Sequence, residues 1–138
     1  MSAVSVFTAE EIKSLRNSCK DLRTRSLLEV VLATGARINE IERLNISDVD
    51  FDNSVITIHD TVHYSRRSIP IDPEYISFID AYVTIRTDNE PELFMSRGCR
   101  MSCMGLRNLL FQLESETGIH HIALRSRLSF MHNALENC

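Results

Sequence analysis

Apolar positions along this chain recur in two rhythms, one of three to four residues and one of two. After Thr8-Ala9-Glu10-Glu11, an N-cap with a glutamate three residues later, Ile12, Leu15 and Cys19 mark one helical face. A second helix, about Arg23 to Thr34, is apolar enough to form the buried centre of a bundle. A third spans about Ile38 to Leu44 and ends near Asn45. Asp48 to Asn53 is rich in turn formers, and the β-branched run Val55-Ile56-Thr57-Ile58-His59 predicts a strand. Arg67-Ser68-Ile69-Pro70-Ile71 alternates and should pair with it, with residues 60–66 as the hairpin loop. Pro70 cannot donate to a ladder, which points to an edge strand.

The helical rhythm then returns. Asp72-Pro73-Glu74 is a helix start, and Tyr75, Phe78, Ile79, Tyr82 and Val83 follow at helical spacing. Asp88 to Pro91 reads as a linker and Leu93 to Ser96 as a short strand. Ser102 caps a helix through Leu106, Leu109, Leu110 and Leu113 that ends near Gly118, and a last helix covers about Ala123 to Leu135. The pattern predicts an α+β fold, mainly helical, in which a small antiparallel sheet sits on a helical core. Residues 1–138 form a single domain without repeats or low-complexity tracts.

Composition narrows the class. Hydrophobic content of 43% and charged content of 25% suit a soluble globular protein. No apolar run approaches the length of a membrane span, and the N-terminus lacks the pattern of a signal peptide, so cytoplasmic residence is the expectation. Cys19, Cys99, Cys103 and Cys138 read as free thiols of a reduced compartment; Cys99 and Cys103 lie far before His120 and His121, unlike a zinc site. The net charge of −4 argues against an unselective polyanion binder, yet thirteen arginines stand against two lysines. That bias suits bidentate recognition of phosphate or carboxylate. Arginines also cluster, at Arg66-Arg67, Arg97 with Arg100, and Arg125 with Arg127.

The most informative stretch is Leu32-Ala33-Thr34-Gly35-Ala36-Arg37-Ile38-Asn39-Glu40-Ile41. A hydrophobic helix stops at a glycine suited to the left-handed closing position, and a second helix restarts at once beside an arginine. An arginine there joins the anion preference of a helix N-terminus to a planar fork that grips two oxygens of one phosphate.

Thr34-Gly35-Ala36-Arg37-Ile38-Asn39-Glu40-Ile41, followed by Leu44-Asn45-Ile46-Ser47-Asp48-Val49-Asp50, resembles the first catalytic box of the tyrosine recombinase (phage integrase) family. The resemblance extends over the order of elements along essentially the whole chain. It implies cutting and rejoining of double-stranded DNA through a phosphotyrosyl intermediate, with no cofactor. Arg37 matches the family's first arginine, and Glu40 its buttressing acid. The family's hairpin lysine would fall at Val62. His63 is one residue away and could substitute as a proton donor or be an ordinary loop residue, and Arg66 and Arg67 match basic positions that commonly precede the strand in the family and could contact the DNA backbone.

The second box is a poorer match. In His120-His121-Ile122-Ala123-Leu124-Arg125-Ser126-Arg127, the Leu124-Arg125 pair fits the family's leucine-arginine and leaves His121 one place from its position. Alternatively, Phe130 and Leu135-Glu136-Asn137 fit the following helix without a gap, which makes Arg127 the second arginine. The first register is slightly favoured, on the Ala-Leu-Arg core. The attacking tyrosine lies farther along in the family, and Tyr64, Tyr75 and Tyr82 do not replace it. The expectation is an incomplete recombinase-type catalytic domain, inactive alone, that binds duplex DNA phosphates through arginines. The alternatives are a non-catalytic module that binds DNA, a full-length recombinase or its own protomers, and a gene remnant.

Overall fold

The computed structural model describes residues 6–60 and 62–136. Asn137 and Cys138 lie outside them, as do the side chains from His132 onward. Helix α1 (Ala9–Asn17) opens with a capping box: the Thr8 hydroxyl accepts from the Glu11 N–H and Glu11 accepts from the Thr8 N–H. Helix α2 (Leu22–Thr34), capped by Asp21, is the centre of the molecule. Leu27, Leu28, Val30 and Val31 are fully buried, and the helix packs against α4 (Pro73–Ile85) and α6 (Ile122–Glu136). Helix α3 (Ile38–Glu42) follows the Gly35 turn, and α5 (Cys103–Thr117) closes the far side, capped by Ser102 and ended at Gly118.

Strands β1 (Val49–Asp50), β2 (Val55–Asp60) and β3 (Ser65–Pro70) form an antiparallel sheet in that order. Ile56 opposite Ile69 carries its inner face, and both are buried. Pro70 sits on an edge strand, as its missing N–H requires. The hairpin loop is shorter than the expected 60–66, because Ser65 and Arg66 still alternate and pair with Asp60 and His59. The Leu93–Ser96 segment is a strand only at β4 (Met95–Ser96). It pairs with β5 (Cys99–Arg100), which the hydrophobic pattern gave no reason to expect.

One polar device holds this side together. Arg100 donates to the Glu42 and Leu44 carbonyls at 2.8 and 3.0 Å and to Asn45 Oδ1 at 2.6 Å, tying β5 to the end of α3. Glu42 in turn accepts the Cys103 N–H at 2.8 Å, which ties α3 to the start of α5. The first arginine thus stands on a short helix fixed at its rear.

Candidate functional site

The turn between α2 and α3 is built for close approach. Thr34 Oγ1 donates to the Val30 carbonyl at 2.7 Å and accepts the Ala36 N–H at 3.1 Å, and Gly35 N–H closes on the Val31 carbonyl at 3.0 Å. Gly35 adopts φ +60°, and a Cβ there would lie 2.9 Å from Phe130 Cβ and 3.1 Å from Arg127 Cα. Glycine therefore serves twice: it ends α2 in the left-handed region and lets α6 pass against the turn. That contact brings Arg127 beside Arg37.

The two arginines open onto one cleft of about 250 Å³, lined also by Gly35, Asn39, Glu40, Asp60, Val62, His63 and Arg67. Arg37 is exposed and Arg127 half-buried. Neither guanidinium has a hydrogen bond or ion pair among the described residues. Arg67 differs. Its Nη1 and Nη2 each donate to a Glu40 carboxylate oxygen at 3.1 Å, a bidentate pair at the cleft edge. Burial would raise the Glu40 pKa, but the hydrogen bonds from Arg67 and from the Arg37 N–H outweigh it and hold the carboxyl below its ordinary value.

Glu40 therefore does not buttress the Arg37 side chain. Its Oε1 accepts the Arg37 backbone N–H at 2.9 Å, and its charge is neutralised by Arg67 from β3. Because Glu40 occupies that N–H, the start of α3 does not present it to the cleft. Arg66 faces away from the cleft: successive side chains of a strand alternate, so Arg67 turns inward and Arg66 outward. His63 does line the cleft. The Asp60 carboxylate accepts the Val62 and His63 backbone N–H groups at 2.9 and 3.2 Å and fixes that loop. The His63 hydrogen bond, foremost, lowers the Asp60 pKa.

In α6 the structure separates the two arginines. Residues two apart on a helix point about 200° apart, so only one of them can face the cleft. Arg125 is the one turned away, buried against α1. Its Nη2 and Nη1 donate to Glu11 Oε1 and Oε2 at 2.7 and 3.1 Å, and Nη2 also reaches the Val6 carbonyl at 3.2 Å. Its guanidinium lies 4.4 Å from the Phe7 ring centroid. This hydrogen bonding from Arg125, foremost, lowers the Glu11 pKa. The slight sequence preference for Arg125 as second arginine is thus at odds with its placement, since the Ala-Leu-Arg core carries no information about helix phase.

His121 is also absent from the cleft lining. It precedes α6 with φ +62°, and its carbonyl accepts the Arg125 N–H at 2.8 Å. Asn39, Asp60 and Val62 line the cleft without having been singled out as site residues. Asn39 lies two residues after Arg37, and only the phase of the short helix could have marked it. Among the described residues no group of three or more potential ligands could hold a metal ion, and no helix is long and apolar enough to cross a membrane.

Comparison with known proteins agrees with this architecture. The description of the phage integrase family matches residues 5–132. Tyrosine recombinase XerA of Pyrococcus horikoshii is 30% identical over 90 residues, covering 65% of this chain and 32% of that protein. XerA of Thermococcus onnurineus is 29% identical over 136 residues, covering 94% and 48%. Among solved structures, XerA recombinase superposes with a TM-score of 0.81 at 24% identity, over 96% of this chain and 51% of that one. XerH site-specific recombinase bound to its difH substrate, in a pre-cleavage complex, gives 0.76 at 19% identity, over 96% and 43%. The chain spans from a third to about half of the length of these two relatives.

Proposed function

Because this chain belongs to the phage integrase family, we propose that its cleft grips a phosphate of duplex DNA between Arg37 and Arg127. The observation that carries this reading is the pair of unpartnered guanidinium groups on one cavity. Two cations facing one pocket repel each other unless an anion lies between them. A phosphodiester under attack gains negative charge on its non-bridging oxygens, and preorganised guanidinium forks stabilise that charge without reorganising. Arg67, already paired with Glu40, supplies a fixed wall of the cleft. Arg125 holds α6 to α1 and so positions Arg127 from the opposite face of the helix. His63 lines the hairpin side of the cleft, where an imidazole could pass a proton to a leaving oxygen.

These 138 residues by themselves bind DNA and do not cut it. Tyr64 projects from the hairpin loop, Tyr82 is buried with its hydroxyl accepting the Met95 N–H, and Tyr75 lies beneath Arg16. None of the three lines the cleft. DNA complexes of similar recombinases support the choice of duplex DNA as ligand.

Binding to a labelled duplex across a salt series tests the grip. Arg37→Ala should weaken binding and lower the slope of log K against log salt by about 1, the signature of one lost phosphate contact. Unchanged binding and slope would sink the assignment. Incubation with a suicide duplex, which traps covalent protein–DNA adducts, tests the second part: an adduct formed by this chain alone would refute it. If the chain ignores DNA but captures a full-length recombinase, the non-catalytic module that acts through a protein partner becomes the better reading.

A further inference from the structure

A second cleft, of about 370 Å³, opens between α1, α2, α4 and α6, away from the arginines of the first. Its walls are apolar: Phe7, Ile12, Leu32, Ala33, Ile71 and Phe130. Ser126 and Ser129 line it too, and residues three apart on α6 share one face of the helix. Ser126 is wholly buried, and neither hydroxyl has a hydrogen-bond partner among the described residues. A buried hydroxyl without a partner destabilises a fold, so two of them on one cleft call for a cause.

The sequence accounts for the space. In the register that makes Arg127 the second arginine, Ser126 stands where the family's leucine-arginine pair has leucine. The exchange takes a branched apolar side chain out of the core and leaves a hydroxyl facing apolar neighbours. The charges at the rim are already committed. Arg16 donates to both Glu29 carboxylate oxygens at 2.8 and 3.0 Å, and Asp72 accepts the Glu74 N–H at 2.8 Å at the start of α4. An anion would meet Glu29 and Asp72, and a cation would meet Arg16, so neither charge is favoured.

We infer that this cleft binds a small uncharged organic molecule, with an apolar body and a carbonyl or hydroxyl group for Ser126 and Ser129. Its volume lies near the lower end of those that take small ligands. Water would satisfy the two hydroxyls but leave the apolar walls wet, whereas an organic ligand answers both demands. Both serines border the cleft, so a change of χ1 rotamer turns either hydroxyl toward an occupant. Phe130 is a wall of this cleft and also rests on Gly35, so an occupant presses on the contact that brings Arg127 beside Arg37. The site is independent of what the arginine cleft holds.

The test titrates three uncharged probes, acetanilide, benzyl alcohol and cyclohexanone, into the isotope-labelled chain and follows its amide resonances. Benzoate and benzylammonium serve as charged counterparts. At least one uncharged probe should bind saturably with a Kd of about 0.1–1 mM, as suits ligands of this size. The largest shifts should fall at Leu32, Ala33, Ser126 and Phe130, and the charged counterparts should bind at least about 10-fold more weakly. Ser126→Leu should raise the thermal midpoint and abolish saturable binding, because the leucine takes the space. Ser126→Ala keeps the space and removes one orphan hydroxyl. It should fold at least as well as wild type and bind the best probe about 3- to 10-fold more weakly. No saturable binding of any uncharged probe to wild type overturns the site, as do shifts centred on Arg37 and His63 instead. Wild-type affinity in a folded Ser126→Leu overturns it as well. Wild-type affinity in Ser126→Ala overturns the part given to the hydroxyl, whether or not the leucine variant folds. Equal affinity for a charged counterpart overturns the ligand class.

Discussion

The Thr34–Glu40 turn and the start of α6 each contribute one guanidinium to the same cleft, yet they are specified in different ways. In the first, each residue acts on its near neighbours. Thr34 ties the turn, Gly35 closes α2, Arg37 enters the cleft, and Glu40 occupies the backbone N–H behind it. In the second, Arg125 and Arg127 are chemically alike, and only their partners tell them apart. Arg125 is held by Glu11, Val6 and Phe7, far away in sequence, while Arg127 opens onto the cleft. A motif whose contacts are local can be read from its own letters, whereas one whose contacts are distant cannot.

The largest effect should come from joining the two regions too tightly. Gly35→Ala adds a left-handed alanine and a Cβ 2.9 Å from Phe130 Cβ. The backbone strain and overpacking together should cost about 2–4 kcal/mol. Thermal unfolding should register this as a fall in midpoint of roughly 10 °C. A midpoint equal to wild type would mean that α6 does not rest on the turn.

Next comes the contrast within α6. Arg125→Met removes a bidentate pair with a part-exposed glutamate and should cost about 1–2 kcal/mol in stability, while the salt slope of DNA binding stays near wild type. Arg127→Ala should do the reverse, changing stability by under about 1 kcal/mol and lowering the slope by about 1. The roles assigned to the two arginines would have to be exchanged if the outcomes were exchanged.

The smallest effect is that of acid. Glu40 and Glu11 both have folded-state pKa values below the ordinary 4.5, so the stability they lend is fully present above that value. It is lost as pH falls from there through the lowered values. Urea midpoints should hold steady on acidification down to about pH 5 and then decline. Glu40→Gln should flatten that decline partially. An identical acid profile in Glu40→Gln would show that the Arg67 pair contributes nothing to it.

Most of the fold was legible because its helices carry their own punctuation. Thr8, Asp72-Pro73, Ser102, Gly35 and Gly118 mark helix ends by backbone chemistry alone. The short β4–β5 hairpin was not, since two-residue strands leave no periodicity to detect. At the site, Arg37 could be nominated from the glycine turn beside it, whereas Arg67 and His63 were nominated only by the family resemblance. Whether Arg67 would face a glutamate or a ligand depended on β3 lying beside α3, which is a tertiary fact. The outward direction of Arg66 follows from strand phase once the register with β2 is known.

The contact of Gly35 with Phe130 and Arg127 also bears on how this site can be retuned. The approach of Arg127 to Arg37 is set where a bare glycine Cα lies against Phe130 and the Arg127 backbone, with no room for a Cβ between them. If the cleft grips DNA as proposed, selection for another target would find the spacing of its two arginines hard to change, because it is set where α6 rests on the turn. Any replacement at position 35 meets both the left-handed backbone and the α6 contact, so changes there act on the fold before they act on the cleft.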